Sequence, residues 1–206
     1  MKSTIYLIRH SITEGNIRDW YYGALDVPLL PEGIEKLRML REEGIYPPAE
    51  DADFYTSGMI RTEQTLREIY GDVPHKVIPE LREYNFGIFE GKTYEELQQL
   101  PEFPLFHYDN SDQYVIPEGE SREMFRLRAL AGWAKLVGFH RLKELSHRHS
   151  GLPAVSIAVC HGGVIDRIMH DVFGSEDDLR YQWTPETGRG FAIHFEHSDP
   201  VSYTSF

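Results

Sequence analysis

The run AVSIAVC, Ala154–Cys160, constrains this chain more than any other stretch. It is apolar, holds two β-branched valines and an isoleucine, and reads as a strand. His161-Gly162-Gly163 follows at once. Then Val164, Ile165, Ile168, Met169, Val172 and Phe173 repeat at i, i+1, i+4, i+5, a helix over 163–173 that Gly174 stops. The strand-then-helix order recurs. Residues 4–8 and 53–56 read as strands, the second less strongly. Ile34, Leu37 and Leu40 place a helix over 33–43, and Leu66, Ile69 and Tyr70 place another over 59–70, with Gly71 as its stop. A longer helix is expected over about 121–147, with Ala131, Ala134, Leu142 and Leu145 along it, and a late strand over 191–195.

Strands alternating with helices predict an α/β fold with a mainly parallel sheet. Residues 100–117, LPEFPLFHYDNSDQYVIP, set prolines among aromatics without a period. They predict an irregular, lid-like insertion over the surface of a single domain spanning 1–206. The 206 residues suffice for such a core, and 41% apolar with 26% charged residues argues against disorder. A net charge of −12 repels phosphate backbones and anionic lipid, so nucleic acid and membrane are not expected partners. The lone Cys160 makes no internal disulfide and fits a reducing compartment. No signal-peptide core or membrane-length apolar run is present, and the expected location is the cytoplasm.

In an open parallel sheet, ligands bind beyond the carboxyl ends of the strands. Three strand exits therefore belong together: Arg9-His10, then Ser57-Gly58 with Arg61, then His161-Gly162-Gly163. Two arginines and two histidines gathered at one edge repel unless an anion sits among them. The guanidinium fork matches phosphate oxygens, and a glycine pair opening a helix lets backbone approach an anion. The expected ligand is a phosphoryl group, with Asn16 as a further donor. A neutral imidazole is a nucleophile without a separate base, and arginines stabilise the transferring group. The leaving oxygen needs an acid, and residues 81–91 offer Glu83 and Glu90. His147, His149, His194 and His197 are expected to be solvated, and no metal site or cofactor is expected. Cys160 reads as a small buried residue.

These residues resemble the histidine phosphatase superfamily, the phosphoglycerate mutase-like proteins. The matching blocks are Arg9-His10-Ser11 with Thr13 and Asn16; Gly23, Asp26, Pro28 and Leu29; Ser57, Arg61 and Thr65; Leu81, Glu83, Gly87 and Gly91; Gly119-Glu120-Ser121; and His161-Gly162-Gly163. They occur in family order over about residues 4–195. The resemblance implies a three-layer sandwich, with helices on both faces of the sheet, and a metal-free phosphohistidine mechanism. It implies His10 as nucleophile, Arg9, Arg61 and His161 as holders of the phosphoryl oxygens, aided by Asn16 and Gly162, and Glu83 as proton donor and then base.

Two positions depart from the pattern. Ser11 stands where the family has glycine, which is awkward if the backbone there needs φ > 0. Ile12 stands where glutamate is common; it removes a polar neighbour of the pocket and is expected to alter substrate choice. Family mutases are usually longer, so the expected activity is hydrolysis of a small phosphorylated metabolite. Mutase-type transfer and silent phospholigand binding are the alternatives. Phe103, Phe106, His107, Tyr108 and Tyr114 are expected either to contact the leaving group or to anchor the lid.

Overall fold

The computed structural model describes residues 2–149, 151–174 and 182–206. Strand β1 (Lys2–Arg9) leads through the one-turn helix α1 (Glu14–Ile17) to α2 (Pro31–Glu42). Strand β2 (Ala52–Thr56), helix α3 (Ile60–Tyr70) and the short β3 (His75–Val77) follow. Helices α4 (Tyr94–Leu97), α5 (Glu102–His107) and the long α6 (Arg122–His147) come next. Strand β4 (Ala154–Cys160), helix α7 (Gly162–Phe173) and the hairpin of β5 (Gly190–Glu196) and β6 (Asp199–Ser205) complete the described chain.

The described strands form one sheet in the order β3-β2-β4-β1-β5-β6. The first four are mutually parallel, whereas β5 runs antiparallel to β1 and β6 antiparallel to β5. Alternation along β1 separates two cores. Ile5 and Leu7 pack with Trp133 and Leu136 of α6 and with Ile165, Ile168 and Met169 of α7. Ile8 faces the other way, with Leu37 of α2 and Leu66 and Ile69 of α3. The result is the expected three-layer sandwich. Helix ends follow local chemistry: the Ser121 hydroxyl accepts the Met124 N–H at 3.1 Å to start α6, and Gly71 at φ 79° ends α3.

Three expectations change. Residues 100–117 are not wholly irregular, because α5 lies inside them with Phe103 and Phe106 buried. Pro101 and Pro104 fall before and within its first turn, where a missing N–H breaks no helical bond. Helix α6 exists as expected but buries another face. Leu142 and Leu145 are 63% and 61% exposed, and Ala131 and Ala134 also face out. Toward its end the buried face is polar, since His140 sits between Ser3 and Ser156, and Lys143 reaches Asp53 at 3.2 Å. His147, expected in solvent, is likewise buried and lies 3.0 Å from Asp51. Polar groups that find partners across the sheet pack inward, and apolar periodicity alone does not report them.

Burial lowers the His140 pKa from 6.5 to about 4, so this ring is neutral in the fold. A folded-state value below the unfolded one means that the unfolded chain binds the extra proton between those limits. Stability is therefore present above pH 6.5 and is lost as pH falls toward 4, by roughly 3 kcal/mol from this residue. Urea unfolding at pH 7 and pH 5 should show the loss, and His140→Gln should flatten it. An equal slope in that variant refutes the assignment.

Candidate active site

Strand register assembles the site. Arg9 pairs with Cys160 across β1 and β4, and Thr56 pairs with Val159 across β2 and β4. All three exits thus reach one level of the sheet edge. The His10 N–H donates to the Cys160 carbonyl at 3.0 Å, and the rings of His10 and His161 stand edge to face at 5.2 Å.

His10 is 3% exposed, and its Nδ1 lies 2.7 Å from the Ser11 carbonyl. A carbonyl only accepts, so Nδ1 carries the proton and Nε2 presents a lone pair. Burial first, then Arg61 and Arg9, hold the His10 pKa well below the ordinary imidazole value. The ring is neutral at physiological pH, with the Nε2 lone pair of a candidate nucleophile.

Arg61, fully buried as a side chain, projects from the first turn of α3. Its Nη2 donates to the Gly23 carbonyl at 2.8 Å and its Nη1 to the Leu25 carbonyl at 3.0 Å. Its guanidinium also lies over the Tyr22 ring, 5.2 Å from the centroid. Glu90 builds the loop that grips it. The Glu90 carboxylate accepts N–H groups from Gly23, Ala24, Leu25 and Phe86 at 2.8–3.1 Å. Saturated with backbone donors, Glu90 is a brace, which leaves Glu83 as the candidate acid.

Glu83 lines the cavity, with Oε1 accepting from Tyr84 N–H at 3.0 Å and Oε2 from Gly163 N–H at 2.9 Å. The glycine pair has a role that its spacing did not reveal. A Cβ at Gly163 would meet Glu83 Oε1 at 2.5 Å, and one at Gly162 would meet Arg9 Nε at 3.1 Å. Glycine here makes room for two site side chains.

His161 differs from expectation. Its Nδ1 accepts from Arg61 Nε at 3.3 Å and its Nε2 lies 2.8 Å from Ser57 Oγ. The ring is fully buried and its pKa is held well below the ordinary value by burial and then by Arg61 and His10. Both nitrogens are engaged within the protein, so the ring orients Arg61 in this state. Asn16 lines the cavity. Its Oδ1 accepts from Thr13 N–H at 3.0 Å and from the Tyr22 hydroxyl at 3.1 Å, which leaves the amide NH2 as a donor at the cavity.

The departures from the family pattern are resolved by geometry. Ser11 is not among the positive-φ residues, and its hydroxyl donates to the Gly33 carbonyl at 2.8 Å. Ile12 does not line the cavity, so it is no direct neighbour of a ligand there. Of the five aromatic or imidazole groups in residues 100–117, only Phe106 lines it. His107 and Tyr108 are exposed, and Phe103 anchors the segment in the core.

The cavity measures about 800 Å³, far more than a phosphoryl group fills, and Trp20, Tyr21, Phe86, Phe106 and Phe125 supply aromatic walls. Tyr22 and Thr184 were not legible as site residues. Tyr22 reaches Thr13, Asn16 and Arg61, and a Cβ at Gly15 would strike its ring at 2.5 Å. Thr184 packs against Gly162 with a buried, unpaired hydroxyl. Among the described residues no group of three or more His, Cys, Asp or Glu side chains is placed to hold a metal, and no helix is long and apolar enough to cross a membrane.

The family model of the histidine phosphatase superfamily (branch 1) matches residues 5–202. The chain is 27% identical over 192 residues to the adenosylcobalamin/alpha-ribazole phosphatase of Escherichia coli (strain K12), covering 92% of this chain and 88% of that protein. The alpha-ribazole phosphatase from Shigella flexneri has a similar structure, with TM-score 0.75 at 25% identity over 98% of this chain and 94% of that one. A phosphoglycerate mutase from Thermus thermophilus shares the fold, with TM-score 0.65 at 22% identity over 98% and 99% of the two chains. The matched span runs from β1 into β6 and encloses every residue that converges on His10. The chain belongs to the histidine phosphatase superfamily, and it is a phosphatase of the phosphoglycerate mutase-like fold.

Proposed function

We propose that the protein hydrolyses a small phosphomonoester in two in-line displacements at phosphorus, with no metal or cofactor in either. In the first, His10 Nε2 attacks phosphorus, the bond from phosphorus to the ester oxygen breaks, and Glu83 delivers a proton to that oxygen. In the second, Glu83 takes a proton from water as the water oxygen attacks phosphorus and the P–N bond breaks. Arg9, Arg61 and the Asn16 amide hold the non-bridging oxygens, the backbone at Gly162 closes one side, and His161 keeps Arg61 aimed.

The observation that carries this reading is the Nδ1 contact of His10 to Ser11, which fixes the tautomer of a ring lining the cavity between Arg9 and Arg61. The aromatic walls favour an ester with a planar or nucleoside-like leaving group, the class that the named alpha-ribazole relatives act on. A cytoplasmic location suits the lone, buried Cys160.

Rapid quench with a ³²P-labelled ester tests the mechanism. Acid-labile, base-stable label should appear on His10 and chase into inorganic phosphate. Turnover without such label on His10 contradicts the phosphohistidine step. Conversion of 3-phosphoglycerate to 2-phosphoglycerate in the presence of bisphosphoglycerate would move the assignment to mutase.

A further inference from the structure

We infer that Arg167, on the leaving-group side of the cavity, binds a second anionic group carried by the substrate. This rests on the phosphatase reading of the same site and adds the chemistry of the leaving group. Among the described residues, buried polar atoms without a hydrogen-bond partner are few, and three belong to residues lining this one cavity: Arg9 Nε, Thr184 Oγ1 and Arg167 Nε. Unpaired buried donors are costly unless a ligand completes them. Arg9 and Thr184 flank Gly162 and belong to the phosphoryl pocket. Arg167 does not. It stands four residues beyond Gly163 on α7, on the same helix face and about 6 Å further along the axis. Gly163 is the anchor of Glu83, the acid for the leaving oxygen. Arg167 therefore lies roughly one helical turn past the point where the ester oxygen departs.

The other outer groups of this wall are already engaged. Lys36 donates to the Thr187 hydroxyl and lies 3.8 Å from Glu186. Arg122 donates to the carbonyls of Asp109 and Phe106. The Asp166 carboxylate accepts the Trp183 N–H at 2.9 Å. Arg167 makes no ion pair with a described residue, and the nearby Glu123 is committed to Arg126. A guanidinium with a buried, unpaired Nε matches a carboxylate or phosphate held by its fork. The predicted substrate is a phosphomonoester whose leaving group bears such an anion, with its apolar part against Phe106 and Phe125.

Three aryl phosphates that differ only in a short arm ending in a neutral amide, a carboxylate or a phosphate give the test. In the wild type, kcat/KM for at least one anionic arm should exceed that for the amide tenfold or more, and the two anionic arms show which anion is preferred. Arg167→Met, which keeps the stem, should bring the ratio near one, and Arg167→Lys should restore part of it. A wild-type ratio near one, or an unchanged ratio in Arg167→Met, overturns the inference. If no ester is turned over and His10 is never labelled, the phosphatase reading fails instead. Calorimetric binding of the corresponding phosphonates then reads the same ratio and decides the role of Arg167 independently.

A different face carries a second inference: we propose that the outer face of α6 pairs with α6 of a second copy. Met124, Leu127, Leu142 and Leu145 are 49–63% exposed, and Ala131 and Gly138 lie between them at helical spacing on the side away from the core. The stripe is self-complementary. Met124 and Leu145, Leu127 and Leu142, and Ala131 and Gly138 are equidistant from a point between Ala134 and Lys135. Two antiparallel copies thus place each large residue on a large one and each small on a small one, as a two-fold interface requires. The stripe is about 33 Å long, and such pairing buries on the order of 1,000 Å² in total, where specific interfaces begin. The flanking cations do not oppose it, since Arg128, Lys135 and Arg141 each face a carboxylate of their own chain.

Sedimentation velocity at tens of micromolar should show a dimer, and Leu142→Glu should give a monomer with wild-type turnover. The double variant Leu127→Cys/Leu142→Cys should cross-link two copies, while neither single variant does. Within one helix these positions are about 22 Å apart and cannot bridge. A wild-type monomer at 100 µM, or a dimer that survives Leu142→Glu, sinks the proposal. Binding of monomeric protein to anionic vesicles that Leu142→Glu abolishes would assign the stripe to a membrane surface instead.

Discussion

Replacing His10 by alanine should lower kcat by about 10⁴-fold or more, because among the described residues that line the cavity His10 alone presents an imidazole lone pair. The fold should survive. His10 contributes one hydrogen bond to Ser11, and the loss of stability should be on the order of 1–2 kcal/mol. Steady-state turnover of p-nitrophenyl phosphate and a thermal melt check both halves. Retention of more than a few per cent of kcat by a folded variant removes His10 from the nucleophile role. The pH profile adds a signature. Protonated imidazole cannot attack, and burial, Arg61 and Arg9 hold the proton off the ring. The acidic limb of kcat/KM assigned to His10, which reports the free enzyme, should therefore lie below 6.5, the ordinary histidine value.

Glu83→Gln should reduce kcat by roughly 10²–10⁴-fold, and the two half-reactions should respond differently. p-Nitrophenolate leaves without a proton, so phosphorylation of His10 persists with that substrate. Water attack on the phosphohistidine still needs a base, so the intermediate accumulates. A stopped-flow burst close to one equivalent of nitrophenolate per enzyme is the expected record. Equal loss in both steps, with no burst and no trapped label, would mean that Glu83 only positions α7. The amide retains an acceptor for one of the two N–H groups now bound by the carboxylate, so gross displacement is not expected.

Both outcomes concern residues that local pattern and spacing had already brought forward. His10 and His161 ended apolar runs, and Arg61 followed a short strand by a few residues. Choosing between Glu83 and Glu90 was beyond spacing alone. The choice depends on four backbone N–H groups from two separate segments that saturate Glu90. The two glycines after His161 were legible as unusual, but their reason lay in Arg9 and Glu83, far away in the chain. Arg167 was one more charge on a helix until the cavity wall was assembled around it.

The edge strands β3 and β6 show a different limit. His75–Val77 and Asp199–Ser205 are mostly exposed and carry no apolar alternation, so only their pairing with β2 and β5 identifies them as strands. For α6 the periodic apolar residues Leu142 and Leu145 point to solvent, while His140, Lys143 and His147 pack inward because their partners lie there.

Periodicity and residue type are local properties, so the order of strands and helices, the parallel α/β class and the chemical groups available could all be read along the chain. Folding alone settled which nitrogen of His10 is free, that His161 is tied to Arg61 and Ser57, and that Glu90 braces while Glu83 faces the cavity. The His161 contacts depend on partners that parallel strand register brings near from a distant part of the chain, the Glu90 brace on a loop folded back onto it, and the His10 tautomer on how the folded backbone turns the neighbouring Ser11 carbonyl toward the ring.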